Sequence, residues 1–234
     1  MSNSDNFDFK SLITIKSGNI HLIEAMNTPY LDALKLQDEI NQYVYHHPDE
    51  VYFLITSHEE CLTMGRGLRE NDIKKHDLVV DNTQRLNNSP LPLHTIKRGG
   101  GMTFHHPGQI IIYPILSVIK AKLSALELID KLFHSVIRCV KSLYNIDLRV
   151  RHDLLGLWHE DKKVCSMGIE LKRFISKHGL ALNVEIQDEY REKMKDLNPC
   201  GLSFDRYLSL KEISLKVNKE ELINEVKKTI INGF

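Results

Sequence analysis

The run His94-Thr-Ile-Lys-Arg-Gly-Gly-Gly-Met-Thr-Phe-His-His-Pro-Gly-Gln-Ile-Ile-Ile-Tyr-Pro114 decides how this chain is read. His94–Arg98 has strand character and runs into Gly99-Gly100-Gly101. Pro107-Gly108 is turn chemistry, and Gln109–Pro114 is a second strand rich in isoleucine. The two strands face each other across a bulged crossing and a turn, with no helix between them. Ser124 then caps a long helix whose Leu128, Ile129, Leu132, Val136, Val140 and Leu143 form an apolar stripe. Strands and helices without a regular βαβ rhythm predict an α+β fold with a mixed or antiparallel sheet and packed helices.

Outward from that run, Ser17-Gly18-Asn19 is a turn between two short strands in residues 11–25. Thr28-Pro29 reads as a cap and first-turn proline for a helix over 29–46, with Ala33, Leu36, Ile40 and Val44 at helical spacing. Val51–Thr56 suits a buried strand. From Ser57 to Leu93 the pattern dissolves into charge and turn residues, including Asn87-Asn88-Ser89-Pro90, so a long loop is expected. Further strands are expected over Asp147–Val150, Leu155–Trp158, Val164–Leu171 and Gly179–Val184. The charged segment 185–198 fits a short helix or a lid. Asn218 with Glu221 starts a closing helix along Leu222, Val226 and Ile230. No repeat divides the 234 residues, which are read as one catalytic domain, 1–234.

Lys plus Arg and Asp plus Glu each total 31, so bulk positive potential toward nucleic acid is not on offer. No apolar run is long enough to span a bilayer, and the polar, acidic N-terminus does not look secretory. Cys61, Cys139, Cys165 and Cys200 are widely spaced, which fits free thiols in a reducing cytoplasm. Twelve histidines include no metal-ligand spacing, and His105-His106 would face opposite ways on a strand, so no metal is expected.

Two short stretches could carry chemistry. Pro199-Cys200-Gly201 puts a thiol on a tight turn, whereas Cys61, Cys139 and Cys165 have the apolar neighbours of packed cysteines. Lys162-Lys163-Val-Cys-Ser-Met-Gly168 puts two lysines on a strand, one of which points inward. A cysteine of pKa about 8.5 is about 3% thiolate at neutral pH. Lowering that pKa by ~2 units takes about 2.7 kcal/mol. A nearby ammonium in a partly desolvated cleft can supply it, and the same lysine, once neutral, can take a proton from an amine. By local sequence alone Cys165 competes with Cys200, and a pair of solvated lysines competes with a catalytic one.

An ordered set of motifs resembles the octanoyltransferases of lipoate biosynthesis. Arg98-Gly99-Gly100-x-x-Thr103-Phe104-His105-x-Pro107-Gly108-Gln109, Gly156-Leu-Trp, Lys163-Val-Cys-Ser-Met-Gly168, His178-Gly-Leu-Ala-Leu-Asn183 and Pro199-Cys200-Gly201 follow that family's order. Leu62-Thr-Met-Gly-Arg66 is similar to a weaker upstream element. His106 stands where the family usually has glycine, and the segment between Asn183 and Pro199 is a few residues longer than usual.

The resemblance implies the fold of biotin and lipoate protein ligase catalytic domains. It implies Cys200 as the acyl-thioester nucleophile and Lys163 as the residue that lowers its pKa. Acyl contacts are implied for Arg98, Gly99, Gly100, Gly101, Met102, Thr103, Phe104, His105, Ser166, Met167, Gly168, Gly179, Leu180 and Ala181. The implied donor is octanoyl-acyl carrier protein. The implied acceptors are lipoyl domains of 2-oxoacid dehydrogenase E2 subunits and the glycine cleavage H protein. The enzyme would be a cytoplasmic monomer without cofactor. Both carriers are small and acidic in the family picture, so Lys172-Arg173 and Lys177 are a candidate docking patch. An ATP-dependent lipoate or biotin ligase and a non-catalytic acyl-binding module are the rival readings.

Overall fold

The computed structural model describes residues 8–68, 74–76, 86 and 89–234. The N-terminal residues 1–7, and much of the expected 57–93 loop including Asn87 and Asn88, lie outside the described residues.

An eight-stranded mixed sheet forms the centre. Its strands are β1 (Ile13–Ser17), β2 (Ile20–Ala25), β3 (Val51–Thr56), β7 (Gln109–Ile115), β8 (Arg149–Arg151), β9 (Gly156–His159), β10 (Lys162–Lys172) and β11 (Ile175–Asn183). They run in the order β1-β2-β3-β7-β11-β10-β9-β8, antiparallel except for the β2–β3 pair. A smaller sheet, β5-β4-β6, comprises β4 (Cys61–Gly67), β5 (Leu93–Thr95) and β6 (Gly100–His105).

Both faces of the large sheet are covered, and the alternation along β7 shows how. Ile110 and Ile112 enter one core while Ile111, Tyr113 and Ile115 enter the other, as period-two side chains must. Helix α1 (Tyr30–His46) lays Ala33, Leu36, Ile40 and Val44 on the second face. Helix α2 (Ala125–Tyr144) and the C-terminal α5 (Lys219–Gly233) cover the first with Leu128, Leu132, Val136, Leu222, Val226 and Ile230. The capping box of α2 is complete, Ser124 and Glu127 each accepting the other's backbone N–H. Such a cap contributes about 1 kcal/mol. Short helices α3 (Asp188–Met194) and α4 (Leu210–Ile213) lie in the connection from β11 to α5. Among the described residues no helix is long and apolar enough to cross a membrane.

The α+β class and the mixed sheet agree with the sequence reading, and several details do not. Residues 61–67, expected in a loop, form β4. The expected strand His94–Arg98 shrinks to Leu93–Thr95, because the chain must bend where Arg98 turns inward. Thr28 does not cap α1; its hydroxyl donates to the Ala25 carbonyl, and Pro29 holds the cap position without a side-chain bond. Asn218 does cap α5, accepting from the Glu221 N–H.

Candidate active site

Arg98 leaves the end of the β5 segment and turns back under the small sheet. Its guanidinium donates to the carbonyls of Gly99, Gly101 and Thr63 and to the hydroxyls of Thr63 and Thr103, at 2.8–3.0 Å. It is 6% exposed and pairs with no carboxylate among the described residues. Burial holds its pKa down, and the Cys200 sulfur acts against that shift. An un-neutralised guanidinium therefore sits behind the glycine run as a fixed positive charge.

On β10 the alternation expected of Lys162 and Lys163 holds, with Lys162 exposed and Lys163 buried, 3% exposed. The strand is not regular: the register to β9 shifts between Lys163 and Cys165, so three consecutive residues are buried there. A bulge of this kind re-aims a side chain. The aliphatic stem of Lys163 passes over Gly156. A Cβ there would sit 2.6 Å from Lys163 Cε and would overlap the Cys165 carbonyl, so the close approach requires glycine. Lys163 Nζ lies 5.7 Å from the centroid of the Trp158 ring. Burial pushes its pKa down; the sulfurs of Cys200 and then Cys165 pull it back. No carboxylate among the described residues pairs with it.

Cys200 lies in the short turn Pro199–Gly201 with φ 52° and ψ 26°, a left-handed conformation that a non-glycine residue seldom adopts. Its thiol donates to the Met102 carbonyl at 3.2 Å, and its Cα approaches Gly101 on β6. Of the four cysteines it alone is not buried. Cys165 and Cys61 are each pushed up to about 12, first by burial, and Cys139 is raised for the same reason. Those three are packed thiols rather than nucleophiles at neutral pH.

A pocket is lined by Arg98, Thr103, His105, Ser166, Met167, Gly168, Gly179, Leu180 and Ala181, together with Tyr30, Tyr113 and His178. Phe104 lines a second cavity with Pro199, Phe204 and Tyr207; Thr103 and Ser166 line both. Gly99, Gly100, Gly101 and Met102 line neither. Their backbone instead seats Arg98 and receives the Cys200 thiol. Tyr30, Tyr113, His178 and Tyr207 were not singled out by sequence. His178 lies within a quoted motif and Tyr113 within the run His94–Pro114; Tyr30 is brought in at the start of α1, Tyr113 on β7 and Tyr207 by its bridge to Lys163.

The pocket's histidines are neutral. Burial first of all drives His58 down to about 4 and His178 to about 3, and drives His105 well below its ordinary value. His58 bonds to the Tyr113 hydroxyl at 2.8 Å, and His105 bonds to Gln109, whose amide reaches Asn183. His106, standing in place of the resemblance's glycine, is also buried and stacks on Phe104. No group of His, Cys, Asp and Glu among the described residues could hold a metal. The proposed basic run is partly spent: Lys172 and Lys177 both pair with Asp38.

A family model described as the lipoyl protein ligase A/B catalytic domain matches residues 29–234. The chain belongs to this family. It is 33% identical over 182 residues to a probable octanoyltransferase 2 of Picrophilus torridus, covering 75% of this chain and 65% of that one. It thus spans just under two thirds of that relative's length. An octanoyltransferase of Persephonella marina is 31% identical over 78% of this chain and 82% of its own. Among solved structures, lipoate-protein ligase A bound with ATP superposes with a TM-score of 0.66 at 12% identity, covering 93% of this chain and 85% of that one. A bipartite lipoate protein ligase from Thermoplasma acidophilum gives 0.62 at 14%, covering 91% and 82%. At such identities the likeness is one of fold, and the family fold is the mixed sheet described above.

Proposed function

We propose that this chain is an acyltransferase that moves an octanoyl group from octanoyl-acyl carrier protein to a lysine amine of lipoyl domains, through a thioester on Cys200. The acceptors are the lipoyl domains of 2-oxoacid dehydrogenase E2 subunits and the glycine cleavage H protein. Residues 1–234 act as one catalytic domain, as a cytoplasmic monomer. The octanoyltransferase relatives support octanoyl transfer in lipoyl formation. The observation that carries the finer reading is a buried lysine, without a carboxylate partner among the described residues, whose strand is tied through Tyr207 to the turn bearing the one cysteine that is not buried.

Lys163, whose pKa burial lowers, takes the Cys200 proton, and the thiolate attacks the octanoyl thioester carbonyl. Backbone N–H groups at the glycine run or the Pro-Cys-Gly turn hold the oxyanion. On collapse the carrier's sulfur leaves and takes the proton from Lys163. The acceptor amine then attacks the Cys200 thioester, losing a proton to Lys163, and Cys200 departs and recovers it. The octanoyl chain lies in the pocket lined by Arg98, Thr103, His105, Ser166–Gly168 and Gly179–Ala181. A thioester is already activated, so this chemistry calls on neither nucleotide nor metal.

Incubation with octanoyl-acyl carrier protein, followed by denaturation and peptide mass spectrometry, should show an octanoyl thioester on Cys200. Cys200→Ser that retains full transfer, label on Cys165, or activity only with free octanoate and ATP would each overturn the reading.

A further inference from the structure

Tyr207 has no role in the acyl-transfer scheme above, yet it touches both halves of the site. Its backbone forms an isolated parallel bridge to Lys163, and the next N–H, of Leu208, donates to the Lys163 carbonyl at 3.0 Å. Its hydroxyl donates to the Pro199 carbonyl at 2.7 Å, the peptide that enters Cys200. The ring is 5% exposed and stacks on Phe204 with centroids 5.5 Å apart. Burial, and then Cys200, holds the phenol well above its ordinary pKa, so it remains a neutral donor.

The bond to Pro199 falls where the chain is strained. A non-glycine residue at φ 52° is strained and persists only where its surroundings over-determine it. The turn's own bonds, Gly201 N–H to Asn198 and Leu202 N–H to Pro199, close it locally but do not orient it toward β10. The Tyr207 hydroxyl does, because its backbone is already fastened to the Lys163 strand.

We propose that Tyr207 is a positioning residue that fixes the Cys200 turn against Lys163. The inference rests on the reading of Cys200 and Lys163 as the reacting pair. Among the described residues, the charged and titratable groups bearing on Cys200 are Lys163, Arg98 and Tyr207 itself.

Tyr207→Phe keeps the ring and removes the hydroxyl. The rate of Cys200 alkylation by iodoacetamide, followed by peptide mass spectrometry against pH, reads the coupling without any acyl donor. The pH profile should be displaced, with alkylation at pH 7 slowed about tenfold. In acyl transfer, kcat should fall about 10–100-fold with KM for the donor changed less than twofold. Phe204→Leu, which loosens the stack but leaves the hydroxyl, should lower Tm without moving the alkylation profile. The inference is overturned if Tyr207→Phe leaves the profile and kcat unchanged, or if Phe204→Leu moves the profile as far. If the wild type forms no octanoyl-enzyme while Tyr207→Phe still moves the profile, the octanoyl reading fails and the positioning role stands.

Discussion

Lowering the pH from 8 to 5.5 should strip this fold of about 4 kcal/mol, through histidines that the folded state keeps neutral. His58, His106 and His178 are driven down to about 4, 3 and 3, in each case first by burial. An unfolded histidine titrates near 6.5. Below that value the unfolded chain binds protons that the folded chain refuses, so stability falls as pH falls, and the loss continues until the folded values are reached. At pH 5.5 an unfolded histidine gains about 1.4 kcal/mol from protonation, so three contribute about 4 kcal/mol. His105, lowered well below its ordinary value, adds in the same direction. Urea titrations at both pH values measure it: with a slope of about 2–3 kcal/mol/M, the midpoint falls by about 1.5–2 M. His58→Gln should remove about 1.4 kcal/mol of the pH-dependent part. Equal midpoints at pH 8 and 5.5, or uptake of less than one proton on unfolding, would refute the buried, neutral state of these rings.

Other changes separate stability from chemistry. Lys163→Met replaces a buried lysine that has no carboxylate partner among the described residues with an apolar chain of similar length, so the urea midpoint should stay or rise while acyl transfer drops at least about 100-fold. Gly156→Ala pushes a methyl into the Cys165 carbonyl and against Lys163 Cε, and should cost about 3 kcal/mol or more by thermal melt. Ser176→Ala should cost about 1–3 kcal/mol, since it leaves the buried Pro114 carbonyl without its donor at 2.8 Å and the Leu116 N–H without its acceptor.

What could be read in advance follows the range of the interaction concerned. The Ser124 cap and the stripe behind it are local, so the start and the buried face of α2 are legible. That one of Lys162 and Lys163 turns inward is legible from strand alternation, whereas the choice of Lys163 came from the ordered motifs around it. Strand β4 is not: Gly65 and Gly67 interrupt it. Gly65 is there because the Gly100 carbonyl and the Arg98 guanidinium press on that position, a constraint imposed from β6. Thr28 looked like a cap but found the Ala25 carbonyl first. Tyr30 reaches the pocket from the start of α1, Tyr113 from β7, and Tyr207 reaches the turn through its bridge to Lys163; these segments lie far apart in sequence, so no local pattern marks them.

The bridge between Lys163 and Tyr207 also sets when the site can exist during synthesis. The β10–β11 hairpin is a short-range structure, whereas Cys200 gains its place only once the chain beyond it has come back to lie along Lys163. At ~5–20 residues per second, the hairpin is made seconds before that return is possible. A nascent or truncated chain ending before Tyr207 carries the cysteine but not its neighbour's field. On the proposed mechanism, acyl transfer should therefore begin only once the last segment has closed and brought the Cys200 turn to Lys163.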